Sequence, residues 1–266
     1  MSNLIHQPCG DCGSSDALQI NIAENGAVKS TFCHSCGQYT AASDGYSPVE
    51  IPEPSEPKPK PDFSSVERML TTANYQAIVS RGLNTATAKT YGILEKPDKT
   101  YFSYHDPEDA NVPIAAKIRL PDKNFYNVGN WSGAGLFGQQ LFNGGGKYIT
   151  LCEGEFDAAA AYQMQGSKYA CVSVRNGAGG ALKDCKAAYE YLDSFEAIII
   201  CFDADEAGCK ASKEVAELFS GKAAIVKHTG GHKDACDYLV ANDIKGFTAA
   251  FWAAEKFVPD GIINGA

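Results

Sequence analysis

The chain has 266 residues, 44% of them hydrophobic, and a formal net charge of −9 at pH 7. That length gives room for a sizeable core and two or three domains of ordinary soluble composition. No stretch approaches the roughly 18 apolar residues that span a bilayer, and the start, MSNLIHQPCGDC, lacks a basic segment followed by an apolar one, so we expect a cytoplasmic protein with no membrane partner.

Residues 1–40 form a cysteine-paired module. Cys9-x-x-Cys12 and Cys33-x-x-Cys36 have the spacing that sets four thiolates tetrahedrally around one structural Zn²⁺. Forty residues cannot build an adequate core alone, so the metal would supply folding energy. With Lys29 as its only basic side chain, the module cannot grip nucleic acid through phosphates and would have to read bases. The other six cysteines are scattered, as buried filler in a reducing compartment would be. Residues 41–62 hold six of the twelve prolines, a spacing that prevents helix and favours an extended spacer.

Residues 63–145 read as a mixed subdomain. The periodicity predicts a helix over 65–79, a short helix over 84–91 capped by Asn84, and antiparallel strands over 101–104, 112–120 and 125–128. Lys117 and Arg119, at i and i+2, share one face of their strand, with Lys123 just past a proline turn. Such a cluster reads either as a solvated face or as a phosphate contact. Eight basic groups balance seven acidic ones here, whereas residues 146–266 carry 12 basic and 17 acidic groups.

Residues 146–266 alternate short apolar runs (148–152, 197–202, 223–226) with helical stretches. Runs without polar alternation suit strands buried on both faces of a parallel sheet, so the expected class is α/β with a doubly wound core. Acids follow each run: Glu153-Gly154-Glu155-Phe156-Asp157, Asp203-Ala204-Asp205 and Asp234. Ligands bind beyond the carboxyl ends of such strands. Five carboxylates gathered there would repel one another unless cations compensated them, and two divalent ions with oxygen ligands, Mg²⁺ or Mn²⁺, suit the set. Any single acid could equally be a helix cap, Asp205 above all. Arg175-Asn176-Gly177-Ala178-Gly179-Gly180 is either a phosphate-binding helix start or a plain glycine turn.

The glutamate after one strand and the DxD after a later one resemble the Toprim domain of bacterial-type primases, topoisomerases and certain nucleases. Lys117-Ile118-Arg119, Leu136-Phe137-Gly138, Glu153-Gly154-Glu155, Asp203-Ala204-Asp205-Glu206-Ala207-Gly208 and Lys233-Asp234-Ala235 occur in the order found in the primase part of phage primase–helicases of the T-odd podovirus kind. With the Cys₄ module ahead of them, the resemblance covers essentially the whole chain. It implies a Toprim-type core with an accessory α+β subdomain behind a β zinc ribbon. It further implies a DNA primase, making short RNA primers from ribonucleoside triphosphates at specific sites on single-stranded DNA. Glu153, Asp157, Asp203, Asp205 and Asp234 would surround the metals, with Glu153 a candidate base. Lys117, Arg119, Lys123 and Lys233 would contact nucleotide or template. A replicative helicase and a DNA polymerase are the implied protein partners.

The loop before Cys33 departs from the relatives in lacking their acidic and histidine residues, which leaves the template triplet open. A Toprim nuclease and a non-catalytic RecR-like binding module are the competing readings. The first would cut strands and the second bind them without turnover.

Overall fold

The computed structural model describes residues 3–9, 17–23, 28–34, 38–41, 63–109, 112–122 and 124–259. The chain divides into two compact units, Met1–Pro61 and Asp62–Ala266. In the first, β1 (Asn3–Gln7), β2 (Leu18–Ile22), β3 (Val28–Cys33) and β4 (Tyr39–Ala41) pair antiparallel in chain order. Alternation in β2 turns Ile20 and Ile22 inward against Val28, a very small core. Cys9 and Cys33 are both buried. The expected ligands Cys12 and Cys36, and residues 42–62 of the proline-rich stretch, lie outside the described residues.

The second unit opens with α1 (Phe63–Thr71), whose Val66 and Leu70 pack on the inner face of a four-stranded sheet. The helix stops eight residues short of the expected end at 79. The hydroxyls of Thr71 and Thr72 bond back to the Arg68 carbonyl, and Tyr75 Oη donates to the Leu70 carbonyl at 2.9 Å. The Arg68 carbonyl already accepts the Thr72 N–H at 3.1 Å; Tyr75 takes a terminal carbonyl that further helix would have satisfied. A 3₁₀ turn (Val79–Arg81) leads to α2 (Thr85–Tyr91), which starts where Asn84 Oδ1 accepts the Thr87 N–H at 2.8 Å.

The strands β5 (Ile93–Lys96), β6 (Lys99–His105), β7 (Pro113–Arg119) and β8 (Phe125–Gly129) form an antiparallel meander. A 3₁₀ turn (Gln139–Leu141) then leads into the α/β half. It comprises β9 (Tyr148–Cys152), α3 (Glu155–Met164), β10 (Ala170–Ser173), α4 (Gly177–Ala187), α5 (Tyr189–Asp193), β11 (Ala197–Cys201), α6 (Glu206–Leu218), β12 (Ala223–Ile225), α7 (Ala235–Val240), α8 (Ile244–Trp252) and β13 (Glu255–Lys256).

The sheet order is β10-β9-β11-β12-β13, with all neighbours parallel except β13. Helices α4 and α6 cover one face through Ala181, Cys185, Ala211 and Val215. The other face is covered by α3, α7 and α8 through Ala158–Ala161, Leu239 and Phe247. This is the doubly wound arrangement the buried runs imply. An aromatic cluster of Tyr91, Phe102, Tyr104, Phe137 and Phe156 packs between the two sheets. In register, Cys152 sits beside Ser173 on one side and Cys201 on the other. Glu153, Val174 and Phe202, the next residue of each strand, therefore emerge together at the carboxyl edge.

Candidate active site

Three loops at that edge carry the acids. Glu153 leaves β9 and its Oε1 accepts the Ala178 N–H at the start of α4, at 3.2 Å. Asp157, in the first turn of α3, accepts the Cys236 N–H at 3.0 Å and so reaches across to α7. Asp203 follows β11, and Asp234 caps α7 by accepting the Asp237 N–H at 2.7 Å. The Ala204 N–H donates to the Lys233 carbonyl at 2.8 Å, which locks the Asp203 loop to the Asp234 loop.

Glu153, Asp157, Asp203 and Asp234, from the α/β half, and Arg81, Lys117 and Arg119, from the segments before it, together line the walls of one cleft of about 330 Å³. Proximity has an electrostatic cost. Burial, then Glu153, Asp234 and Asp205, push the Asp203 carboxyl up to about 7. Burial likewise raises Glu153 above the ordinary carboxylate range, and burial with the charges of Asp234 and Asp203 raises Asp157. The Asp203 N–H faces Glu153 and steadies its charged form, but falls short of hydrogen-bond geometry. Glu153 Oε2 is thus left buried without a hydrogen-bond partner. A set of crowded, oxygen-only donors with one unsatisfied atom fits a hard divalent cation. Among the described residues, no three His, Cys, Asp or Glu side chains are yet grouped closely enough to hold one ion.

The remaining expected residues fall in different places. Asp205 is exposed and caps α6, accepting the Gly208 N–H at 2.7 Å; it acts on the cleft through its charge on Asp203. Lys117 is buried, with its ammonium ion-paired to Glu155 and donating to the Arg175 carbonyl. Tyr104 Oη completes that knot by donating to Glu155 Oε1 at 2.7 Å. Arg119 stands over the Phe156 ring at 5.9 Å. Lys233 is exposed, and Lys123 lies outside the described residues.

Arg81, in an Arg81-Gly82-Leu83 segment that also resembles the family but whose role the sequence left open, has its guanidinium 4.7 Å above Phe156. Gly82 takes φ +66° where the turn abuts Leu239, which delivers Arg81 to the cleft. A second basic hollow of about 260 Å³, lined by Arg81, Lys96, Lys99, Arg119 and Phe156, adjoins the cleft.

A Toprim-like family model matches residues 150–239. The DNA helicase/primase of Enterobacteria phage T3 is 33% identical over 98% of this chain, which spans only 45% of that protein. The crystal structure of the primase fragment of the bacteriophage T7 primase-helicase is 32% identical, with a TM-score of 0.61. That match covers 95% of this chain and 100% of the fragment. A second T7 structure holds the lagging-strand DNA polymerase with two primase domains bound to an RNA/DNA hybrid and dTTP. It is 36% identical over 69% of this chain and 94% of the matched one, also with a TM-score of 0.61. Fold and sequence agree along nearly the whole chain: it belongs to the Toprim primase family represented by the primase part of the phage primase–helicases.

Proposed function

We propose that this chain is a DNA-dependent RNA polymerase that makes short primers on single-stranded DNA from ribonucleoside triphosphates. The observation that carries the reading is the lining of one cleft by four carboxyls together with Arg81 and Arg119. Such a site can hold metal on its carboxyls and a triphosphate on its arginines.

Glu153, Asp157, Asp203 and Asp234, with Asp205 beside them, are the residues that would hold Mg²⁺ or Mn²⁺. When bound, the ions supply positive charge that favours the ionised primer 3′-hydroxyl and the departing pyrophosphate. The residues of the chain do the rest. Glu153, raised by burial and aimed by the Ala178 N–H, takes the hydroxyl proton. Arg81 and Arg119, braced on Phe156, grip the triphosphate as planar forks. Lys96 and Lys99 continue the positive track outward for the template backbone, and Lys123 and Lys233 are further contacts for nucleotide or template. Lys117 holds the shape of the basic lining through Glu155 and the Arg175 carbonyl.

The module of residues 1–40, joined through the linker of residues 41–62, takes Zn²⁺ through Cys9, Cys12, Cys33 and Cys36 and selects the template site. The burial of Cys9 and Cys33 beside so small a core supports a metal-dependent unit. A replicative helicase and a DNA polymerase are the expected partners. Incubation of end-labelled single-stranded DNA with ribonucleotides and Mg²⁺ separates the readings: new RNA over intact template supports a primase, and shortened template a nuclease.

A further inference from the structure

Asp184 poses a physical question that the reaction leaves unanswered. It stands in the interior of α4, where aspartate is a poor helix former, and its side chain is fully buried. A buried charge is costly, and an apolar side chain would pack α4 against the sheet at least as well. What the carboxylate gains instead is a loop. Its oxygens accept the backbone N–H of Arg175 at 2.8 Å and of Asn176 at 3.2 Å. They also accept Arg175 Nε at 3.2 Å, Arg175 Nη2 at 3.0 Å and Asn176 Nδ2 at 3.3 Å.

Of the loop's further bonds, one pair braces the chain after β8 and another, through Lys117 and Glu153, reaches the cleft. Arg175 Nη1 donates to the carbonyls of Trp131 at 3.0 Å and Ala134 at 2.8 Å, pinning the segment that follows β8. The Arg175 carbonyl receives the Lys117 ammonium, which pairs with Glu155. Two residues beyond Asn176, the Ala178 N–H donates to Glu153 Oε1. Gly177, between them, has φ +62°, and a Cβ there would lie 3.7 Å from the same oxygen.

We infer that Asp184 is a positioning residue for primer synthesis: clamped to Arg175, it fixes the 175–178 loop that orients Glu153 and Lys117. The inference rests on the reading of Glu153 as an active-site carboxylate. Asp184 touches no reacting atom and acts only through the loop. A displacement of the loop by an ångström misaims both the acids and the basic groups, and misplacement of that size costs up to about 100-fold in rate.

The test compares Asp184→Asn and the double variant Arg175→Met/Asp184→Leu with the wild-type full chain. Three readouts are taken: kcat and KM for ribonucleotide incorporation, the unfolding midpoint, and hydrogen exchange at the amides of Arg175, Asn176 and Ala178 without metal. The single variant is expected to lose about 10- to 100-fold in kcat with KM within about twofold, and to exchange those amides at least about tenfold faster. The double variant removes both buried charges, so its unfolding midpoint returns to the wild-type value while kcat stays low. Recovery of wild-type kcat in the double variant, or a folded Asp184→Asn with unchanged kcat and loop protection, overturns the inference. Should the wild type itself make no RNA, it is the primase reading that falls, and the exchange data still decide whether Asp184 holds the loop.

Discussion

The backbone of Gly208 passes so close to Asp203 that a Cβ added there would stand 2.2 Å from the Asp203 carbonyl oxygen and 3.0 Å from Glu153 Oε2. The first turn of α6 is therefore packed directly onto the two loops that carry the acids. Gly208→Ala forces the Asp203 loop to shift. It is expected to cost about 1–3 kcal/mol of stability by overpacking and to lower primer synthesis by about 100-fold. Thermal unfolding and a priming assay check this together; a large fall in activity with an unchanged midpoint would still place the damage at the loop.

The charge on Asp203 gives a pH prediction with a definite sign. Its carboxyl titrates at about 7 in the fold, against about 3.9 in an unfolded chain. The native state therefore binds the proton more tightly, and this group's contribution to stability is full below about pH 4 and lost as pH rises through 7. Without metal, Asp203→Asn should raise the melting temperature at pH 8 and leave it nearly unchanged at pH 4. Mg²⁺ stabilises the ionised form, so its effect on wild-type melting should be larger at pH 8 than at pH 6. The opposite order would mean that the carboxyls do not compete with protons for the metal.

The basic groups divide by reach. Arg119→Ala and Arg81→Ala remove a fork that lines both the acidic cleft and the outer hollow, so KM for the ribonucleotide should rise about tenfold, with a smaller loss of template affinity. Lys96→Ala and Lys99→Ala remove charge from the outer hollow, where a strand backbone would pass. Each should weaken single-stranded DNA binding about equally on all sequences and lower the salt slope by roughly 0.7. Salt titrations by fluorescence anisotropy give both numbers.

Zinc and template choice should fall together. Cys9→Ser, or prolonged chelation, is expected to release one Zn²⁺ per chain, unfold the first unit and abolish site-specific initiation. Untargeted joining of nucleotides at the cleft should persist at a reduced rate, because the acids lie in the second unit. Metal analysis beside a template panel tests the separation, and equal loss of both activities would contradict it.

Much of this was legible because parallel strands buried on both faces leave an unmistakable trace. The runs expected at 148–152, 197–202 and 223–226 end within one residue of β9, β11 and β12; Glu153 and Asp203 follow the first two directly, and Asp234 comes at the end of the loop after the third. Local chemistry was legible too: Asn84 caps α2 as its position implies. What could not be read was tertiary. The alternation of Lys117 and Arg119 gives a shared strand face, but not that Glu155, 38 positions away, draws Lys117 into a buried pair. That Asp205 caps its helix was one of two open readings of the DxD, and packing shows the cap that the sequence only allowed. Arg175 and Asp184 are nine positions apart across a glycine-rich helix start, with no periodicity to link them. The helix expected over 65–79 overran because Tyr75 takes the Leu70 carbonyl and closes the helix end at Thr71.

We hold that the carboxyls and arginines lining one cleft together synthesise RNA. A priming assay tests this by supplying labelled ribonucleotides and Mg²⁺ with short single-stranded DNAs that together cover all trinucleotides, for the wild type and Asp203→Ala. Oligoribonucleotides on a subset of templates are expected from the wild type and none from the variant. Equal product from both, or no product with cleaved template, would contradict it.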